Sequence, residues 1–297
     1  MHADALALPT AIAARLVHDQ FAPGVEVEDV ESAATTNYVF RVGARHSARF
    51  PIRPADAEAH RDALVAEGRA MAEFAAASPF PSPRLVFIGR PGFGYPMPWS
   101  VQSWIRGDVA TEDSVASSSV FARDLAQLIV ALRTVDVGGR VFSGSGRGGA
   151  LTDHDDWVAH CPTRSAGVLP VARLRRAWGD LRSTPPAARQ VMSHKDLTPF
   201  NLVIDDGRLA GVLDAGGFGP ADPALDLVAA WHLLDRDRRA GFRDDIGADD
   251  DDWRRGAAWA LQQALGLVWY YATTNPSMSR LGRSTIDRIL AAPELNL

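Results

Sequence analysis

The chain has 297 residues, a hydrophobic fraction of 46% and a formal net charge of −5. This length predicts two lobes or one large domain, with ample material for a hydrophobic core. The mildly acidic balance argues against nucleic acid or an anionic membrane surface as the partner, and it suits a cationic ligand.

The cysteine content and the search for targeting signals restrict the class of protein further. Cys161 is the only cysteine, which excludes an internal disulfide and a cysteine-rich metal site. The first residues lack the basic and apolar segments of a secretory signal, and no apolar run approaches the roughly 18 residues of a membrane span. We therefore expect a cytoplasmic protein that is a monomer or a weak dimer.

The first third of the chain combines strands with two helices. Apolar periodicity predicts helices at 8–19 and 55–77, the second with Leu64, Met71 and Phe74 on one face. Alternating or β-branched runs predict strands at 25–30, 38–42, 47–51, 84–88 and 99–105. This region is expected to form an antiparallel sheet with one long helix.

The rest of the chain is mainly helical by its apolar spacing. Helices are predicted at 119–136, 169–182, 225–234 and 251–272. The glycine-rich stretch 138–149 resembles a phosphate loop in composition, but no strand precedes it and no Gly-Lys-Ser/Thr ends it, which excludes a Walker motif. We interpret 138–149 as a mobile loop near a substrate cleft.

A polar loop and the hairpin after it hold the residues suited to catalysis. The Asp206-Gly207 turn between two apolar runs predicts a tight hairpin, which returns Asp214 to the neighbourhood of Asn201. Asp196 can orient a hydroxyl and accept its proton, while Asn201 and Asp214 can hold Mg²⁺ on a nucleotide. An Asp, an Asn five positions later and a second Asp after a hairpin form the catalytic arrangement of protein kinases.

Two motifs resemble the signatures of the aminoglycoside phosphotransferase family, antibiotic kinases with a protein-kinase-like fold. They are His194-Lys-Asp-Leu-Thr-Pro-Phe-Asn201 and Asp214-Ala-Gly-Gly-Phe-Gly-Pro-Ala-Asp222-Pro-Ala-Leu-Asp226-Leu. The resemblance implies a two-lobed α+β fold with a small antiparallel-sheet N-lobe and a larger, mainly helical C-lobe. The expected bounds are 1–101 for the N-lobe, 102–105 for the hinge, and 106–297 for the C-lobe with its catalytic hairpin at 191–217.

The resemblance also implies a nucleotide site in the N-lobe. Arg49 stands where the family has a phosphate-binding lysine, and a guanidinium can grip phosphates bidentately. Glu67 is the favoured partner of Arg49, with Glu73 and Glu58 as rivals. The turn 32–37 takes the place of a glycine-rich loop, and the backbone of the hinge is expected to receive the purine. The nucleotide-binding candidates are Arg49, Glu67, Asn37, Gln102, Ser103, Trp104 and Ile105.

Around the predicted base, the resemblance assigns bracing roles to His194, Asp222 and Asp226. Lys195, the only lysine of the chain, replaces the usual glycine. Two roles stay open for Lys195, which are contact with the γ-phosphate and stabilisation of the loop.

The activity implied is Mg²⁺-dependent transfer of the γ-phosphate of ATP or GTP to a hydroxyl of a small, cationic or polyhydroxylated antibiotic. Acidic clusters at 153–156 and 249–252 slightly favour an aminoglycoside over a macrolide, although both also suit the start of a helix. The substrate candidates are Trp231, Trp269, Tyr270 and Asp153, although core packing is the default expectation for the aromatic ones. Two alternatives stay open, a metabolic kinase acting on choline, homoserine or a sugar, and a catalytically weak nucleotide-binding regulator.

Overall fold

The computed structural model describes residues 5–30, 36–144, 147–165 and 167–297. The chain forms two compact units. The first comprises 1–76, 81–106 and 214–216, and the second comprises 77–80, 107–213 and 217–297. The short segment 214–216 therefore packs with the first unit although both of its chain neighbours belong to the second.

The first unit is an antiparallel sheet with two helices. The helices are α1 (Thr10–Gln20) and α2 (Ala57–Ala77), and the strands are β1 (Val27–Asp29), β2 (Asn37–Val42), β3 (His46–Pro51), β4 (Leu85–Gly89) and β5 (Trp99–Ser103). The strand order is β1-β2-β3-β5-β4, with every neighbouring pair antiparallel. β3 is consequently an interior strand, hydrogen-bonded on both sides.

Aromatic packing against one face of this sheet makes the unit rigid. Phe50 of β3 stacks on Trp99 of β5 with ring centroids 4.8 Å apart, and Phe40 of β2 meets Phe50 edge-on at 5.7 Å. Leu16 and Val17 of α1 are fully buried in the same cluster. Side chains alternate between the two faces of a strand. The burial of Phe50 and Ala48 therefore turns the intervening Arg49 to the opposite face.

The second unit is mainly helical and contains two small sheets. Its helices are α3 (Ser119–Arg133), α4 (Asp155–Arg164), α5 (Val171–Arg182), α6 (Val228–Leu233), α7 (Arg236–Ile246), α8 (Asp250–Tyr270) and α9 (Pro276–Leu290). Strands β6 (Asp108–Val109), β8 (Leu202–Asp205) and β9 (Arg208–Val212) form one sheet, and β7 (Val191–Ser193) pairs with β10 (Gly219–Ala221) in the other. No described helix combines the length and apolar character needed to cross a bilayer.

The predicted hairpin at Asp206-Gly207 is present. Asp205 pairs with Arg208 across the turn, and Asp206 and Gly207 have φ angles of 47° and 70°. Two successive residues in the left-handed region form the turn whose twist matches that of antiparallel strands. The short pairing of β7 with β10 was not predicted, because three-residue strands leave too little alternation to detect.

His232 of α6 lies fully buried inside the helical unit. Its ring nitrogens face Thr285 Oγ1 at 2.8 Å and Gln263 Oε1 at 3.4 Å. Burial lowers the pKa of this imidazole to about 3. The folded protein therefore holds His232 neutral at pH values where the unfolded chain binds a proton.

This depressed pKa makes the stability of the protein sensitive to acid. Between the unfolded pKa of about 6.5 and the folded pKa, only the unfolded chain gains the proton, so acidification favours unfolding by up to about 1.4 kcal/mol per pH unit. We expect the free energy of unfolding in urea to fall across this window. The same titration of His232→Gln should lack this contribution, and equal slopes for both proteins would contradict the assignment.

Candidate active site

Arg49 stands at the centre of a charged cluster in the first unit. Its Nη1 lies 3.2 Å from Oδ1 of Asp214 and 3.5 Å from Oε1 of Gln102. The Arg49 side chain is 19% exposed and that of Asp214 is 50% exposed. The structure therefore brings together the arginine predicted to bind phosphates and the aspartate predicted to bind a metal.

Glu67 of α2 completes this cluster. Burial raises the pKa of its carboxyl, the charge of Arg49 opposes that rise and the charge of Asp214 adds to it. A Cβ placed on Gly216 would lie 3.1 Å from Cγ of Glu67, so any other residue at 216 would require Glu67 to shift by a few tenths of an ångström. Of the glutamates considered for this position, Glu67 has the charge environment expected of a partner of Arg49.

Asn37 shares a sheet face with Arg49. Val39 lies opposite Arg49 in the pairing of β2 with β3, and residues two apart in a strand point to the same side. The Asn37 amide donates to Thr36 Oγ1 at 3.1 Å. The other residues of the predicted turn, 32–35, lie outside the described part of the chain.

The predicted hinge begins inside β5 and continues beyond it. Gln102 and Ser103 belong to the strand, and Ser103 donates its N–H to the Arg84 carbonyl at 3.0 Å. Trp104 donates its N–H to the Arg45 carbonyl at 2.8 Å. These two N–H groups are therefore engaged by the protein itself.

Backbone contacts fix the loop that holds Asp196 in the second unit. The Asn201 amide nitrogen donates to the Asp196 carbonyl at 2.9 Å, and the Thr198 N–H donates to the same oxygen at 2.9 Å. The Leu213 N–H donates to the Asn201 carbonyl at 2.8 Å. Asp214 follows Leu213 directly, so the chain that delivers Asp214 is hydrogen-bonded to the loop that holds Asn201.

His194 and Asp226 brace this loop from the interior. Both are buried, and the two carboxylate oxygens of Asp226 accept the N–H groups of His194 and Lys195 at 3.1 and 3.0 Å. His194 Nδ1 accepts the Asp196 N–H at 3.3 Å, which assigns the ring proton to Nε2, 2.8 Å from the Leu213 carbonyl. His194 is thus committed to backbone groups on both nitrogens.

Lys195 adopts a backbone conformation that L-residues avoid. Its φ angle is 70°, and the left-handed region costs a non-glycine residue roughly 1–2 kcal/mol. Burial lowers the pKa of its ammonium, opposed by the charge of Asp226. A Cβ placed on Gly219 would lie 3.4 Å from Lys195 Nζ, so the side chain extends towards the start of β10.

Arg147 was not predicted as a site residue. Its Nη1 forms an ion pair with Oδ1 of Asp196, the predicted base, and lies 3.4 Å from Oε1 of Gln263 on α8. The glycine-rich composition of 138–149 was the only sequence signal, and it did not distinguish one arginine from the others. Because the chain contains thirty arginines, the sequence alone does not distinguish a functional arginine from the others.

The two acidic clusters are helix starts, which corrects the argument for a cationic ligand. Asp249 caps α8 by accepting the Asp252 N–H at 2.7 Å, and Asp250 and Asp252 form ion pairs with Arg243 and Arg255. Carboxylates are favoured at helix N-termini because the helix dipole is positive there.

The cluster at 153–156 is used in the same way. Asp153 accepts the Ala150 N–H at 2.9 Å, and Asp155 accepts from Trp178 Nε1 at 2.7 Å and pairs with Arg182 at 3.3 Å. Asp153 is therefore engaged in local structure, and its predicted contact with substrate gains no support from these contacts.

Trp231 does not line a pocket, contrary to prediction. It is fully buried, with Trp253 at a ring distance of 5.1 Å and the Arg239 guanidinium 4.8 Å above its ring. Complete burial prevents contact with a ligand, so Trp231 is a core residue.

The other two aromatic candidates lie nearer the surface. Tyr270 is 45% exposed and packs edge-on against Trp269 at 5.6 Å. Trp157 of α4, 40% exposed, adds a third ring 6.1 Å from Trp269, and the Arg164 guanidinium lies over Trp269 at 5.1 Å. Trp157, Trp269 and Tyr270, hereafter the aromatic cluster, are able to contact a bound molecule.

Asp222 serves the packing of α8. Its carboxylate accepts from Arg255 Nε and from Trp259 Nε1, each at 3.3 Å, and from the Ala224 N–H at 2.9 Å. Both carboxylate oxygens of Asp222 therefore accept hydrogen bonds within the fold, in keeping with a structural role.

Asn201 and Asp214 each carry a side-chain oxygen of the kind that Mg²⁺ binds. Because the Asn201 amide nitrogen is engaged by a carbonyl, its Oδ1 is the atom that remains for a cation. Mg²⁺ is commonly held by one or two protein oxygens together with substrate phosphates and waters. Within the described ranges no group of three or more His, Cys, Asp or Glu side chains could hold a metal, so an all-protein cage is not part of this site.

A family model described as the phosphotransferase enzyme family matches residues 29–259, which is more than half of the chain. The chain belongs to this phosphotransferase family. This is the family class that the His194–Asn201 motif predicted.

Comparison with curated proteins finds a short match. The aminoglycoside 3′-phosphotransferases of Escherichia coli and Salmonella typhimurium are each 32% identical to this chain over 62 residues, 20% of this chain. The match spans 23% of the length of those relatives.

Solved structures of phosphotransferases match nearly the whole fold. The GDP complex of aminoglycoside 2′-phosphotransferase-IIIa superposes with a TM-score of 0.69 at 18% identity, covering 95% of this chain and 99% of that chain. Macrolide 2′-phosphotransferase MphH from Brachybacterium faecium superposes with a TM-score of 0.61 at 17% identity, covering 94% and 96%. The predicted α+β, protein-kinase-like fold is confirmed.

Proposed function

We propose that this phosphotransferase moves the γ-phosphate of ATP or GTP to a hydroxyl of a small-molecule antibiotic. The observation that carries the proposal is a pair of hydrogen bonds, from the Asn201 amide to the Asp196 carbonyl and from the N–H of Leu213, the residue before Asp214, to the Asn201 carbonyl. Phosphoryl transfer needs such fixed positioning, because most of the rate gain comes from orientation and charge neutralisation.

Each residue has a separate part in the reaction. Asp196 holds the acceptor hydroxyl and takes its proton, with its position set by the braced loop. Arg49, paired with Asp214 and influenced by Glu67, neutralises the α- and β-phosphates. Asn201 and Asp214 supply oxygens to Mg²⁺, which when bound neutralises charge on the phosphate oxygens.

The acceptor is proposed to be an aminoglycoside first and a macrolide second. The first choice rests on the curated relatives, which are aminoglycoside 3′-phosphotransferases. A specific feature of the structure favours a macrolide. The aromatic cluster offers the apolar surface that a macrolide ring needs, while the carboxylates at 153, 155, 249, 250 and 252 are engaged in helix caps and ion pairs.

A transfer screen tests the proposal. The purified enzyme is incubated with Mg²⁺, with γ-labelled ATP or GTP, and with aminoglycosides, macrolides, choline, homoserine or sugars. We expect a labelled antibiotic product that requires Mg²⁺ and is absent in Asp196→Asn. A labelled metabolite alone would assign a metabolic kinase, and Mg²⁺-dependent nucleotide binding without product from any acceptor would contradict the proposed enzyme activity.

Lys195 provides a separate prediction, because its strained backbone costs stability. Lys195→Gly should raise the free energy of unfolding by about 1 kcal/mol, since glycine adopts the left-handed conformation freely. If Nζ contacts the γ-phosphate, the same substitution lowers turnover. Asp206→Gly, at a φ angle of 47° in the remote hairpin turn, is the matched control.

The expected pattern is a gain of stability and a loss of turnover in Lys195→Gly, with turnover unchanged in Asp206→Gly. Urea unfolding and release of phosphate from the nucleotide measure the two effects. Unchanged turnover in Lys195→Gly would exclude contact of Lys195 with the γ-phosphate.

A further inference from the structure

Arg147 contacts the predicted base, and no assigned role accounts for that contact. The guanidinium lies against Oδ1 of Asp196, with the Arg147 side chain 41% exposed and the Asp196 side chain 33% exposed. A surface ion pair is worth little for stability, generally less than about 1 kcal/mol. Stability alone is therefore a weak explanation for a cation placed on the most important carboxylate of the site.

The fold holds Arg147 from the side of α8. Gln263 Oε1 lies 3.4 Å from Arg147 Nη1 and also 3.4 Å from Nε2 of the buried His232. The neighbouring backbone is fixed as well, because His154 Nε2 lies 3.0 Å from the Gly148 carbonyl and Gln262 contacts the other nitrogen of that ring. Two adjacent glutamines of one helix thus anchor both Arg147 and the chain next to it.

The contact with Asp196 determines which atoms Arg147 can reach. The acceptor oxygen must lie within about 3 Å of the base, and the phosphorus about 3–3.5 Å beyond that oxygen in a reactive geometry. A guanidinium touching Asp196 is therefore only a few ångströms from the phosphoryl group during transfer. Its fork of donors can engage a carboxylate and a phosphoryl oxygen at the same time.

We propose that Arg147 is a catalytic residue that binds the equatorial oxygens of the transferring phosphoryl group; this inference rests on the proposed function. The acceptor oxygen forms the new bond to phosphorus, the bond from phosphorus to the bridging oxygen breaks, and the nucleoside diphosphate leaves. The acceptor proton passes to Asp196. Arg147 donates hydrogen bonds to the phosphoryl oxygens throughout.

Two effects of Arg147 on the rate oppose each other. Its charge makes Asp196 a weaker base, but it also stabilises charge on the phosphoryl oxygens. The transition state of phosphoryl transfer is loose and proton transfer is late, so charge stabilisation outweighs base strength. A net accelerating role follows.

Hydrolysis of MgATP and MgGTP in the absence of any acceptor tests this role, because water then serves as acceptor at the same base. The variants are Arg147→Gln and Arg147→Lys. Arg280→Gln is the control, since Arg280 is 61% exposed and pairs with Glu112 at 2.9 Å in the same unit. We expect Arg147→Gln to lower kcat at least about 100-fold with KM for nucleotide near wild type. Arg147→Lys should lie between, because lysine keeps the charge and loses the fork.

Several outcomes would overturn the inference. Faster hydrolysis in Arg147→Gln would identify Arg147 as a block on Asp196, and an unchanged rate or a change in KM alone would exclude contact with the phosphoryl group. Asp196→Asn in the same assay distinguishes a failure of the Arg147 inference from a failure of the proposed function. If Asp196→Asn abolishes hydrolysis and Arg147→Gln does not lower it, only the inference on Arg147 fails. If Asp196→Asn hydrolyses nucleotide at the wild-type rate, the proposed function fails and the inference fails with it.

Discussion

Asp196→Asn should reduce phosphate transfer by about 10³-fold, the middle of the range for loss of a positioned general base. The amide cannot accept the proton of the acceptor hydroxyl, and it pairs poorly with the guanidinium of Arg147. The backbone of the loop should survive, because Asn201 and Thr198 bind the carbonyl oxygen of Asp196 and not its side chain. Nucleotide affinity should therefore be retained, since Arg49, Asn201 and Asp214 are unchanged.

Turnover and nucleotide binding must be measured together for this variant. Titration calorimetry with a triphosphate and Mg²⁺ gives the affinity, and the transfer assay gives kcat. Asp205→Asn makes the same chemical change at an exposed position of β8 and should leave both unaltered. Near-normal turnover in Asp196→Asn would remove this residue from the chemistry.

Asp214→Asn is expected to affect binding as well as turnover. The substitution removes a carboxylate charge that both pairs with Arg49 at 3.2 Å and is proposed to hold Mg²⁺. Losing a metal ligand costs charge stabilisation of the phosphates, so turnover should fall by about 10³-fold. Unlike Asp196→Asn, this variant should also lose most of the Mg²⁺-dependent part of nucleotide affinity.

The contrast between the two aspartates is itself the test. The thermal stabilisation that nucleotide gives to the wild type should differ between a buffer with Mg²⁺ and a buffer with a chelator. In Asp214→Asn the stabilisation should be equal in the two buffers. Asp62→Asn on the exposed face of α2 in the same unit is the matched control. A normal Mg²⁺ effect in Asp214→Asn would show that the metal is held elsewhere.

Local rules explain why much of the fold could be predicted. The Asp206-Gly207 turn and the capped start of α8 depend on a few neighbouring residues, and their conformational preferences are readable from sequence. The spacing from Asp196 to Asn201 predicted a catalytic loop because the motif lies within one short segment. The family match confirms the enzyme class that these residues predicted.

Features that depend on tertiary packing could not be predicted from the sequence. For Trp231 the sequence left both core packing and pocket lining open, and the packing of Trp253 and Arg239 around it shows a core position. The contact of Arg147 with Asp196 joins residues 49 positions apart through a glycine-rich stretch with no periodicity. The acidic residue runs showed charge, but whether a carboxylate faces a ligand or a helix N-terminus depends on the fold.

The most direct measurement of the central claim is a crystal structure with Mg²⁺ and a non-hydrolysable triphosphate analogue. We predict one Mg²⁺ about 2.1 Å from Oδ1 of Asn201 and from a carboxylate oxygen of Asp214. The terminal phosphate should face Asp196, with the guanidinium of Arg49 on the α- and β-phosphates. A nucleotide bound away from these side chains, or a metal that neither Asn201 nor Asp214 touches, would contradict the account.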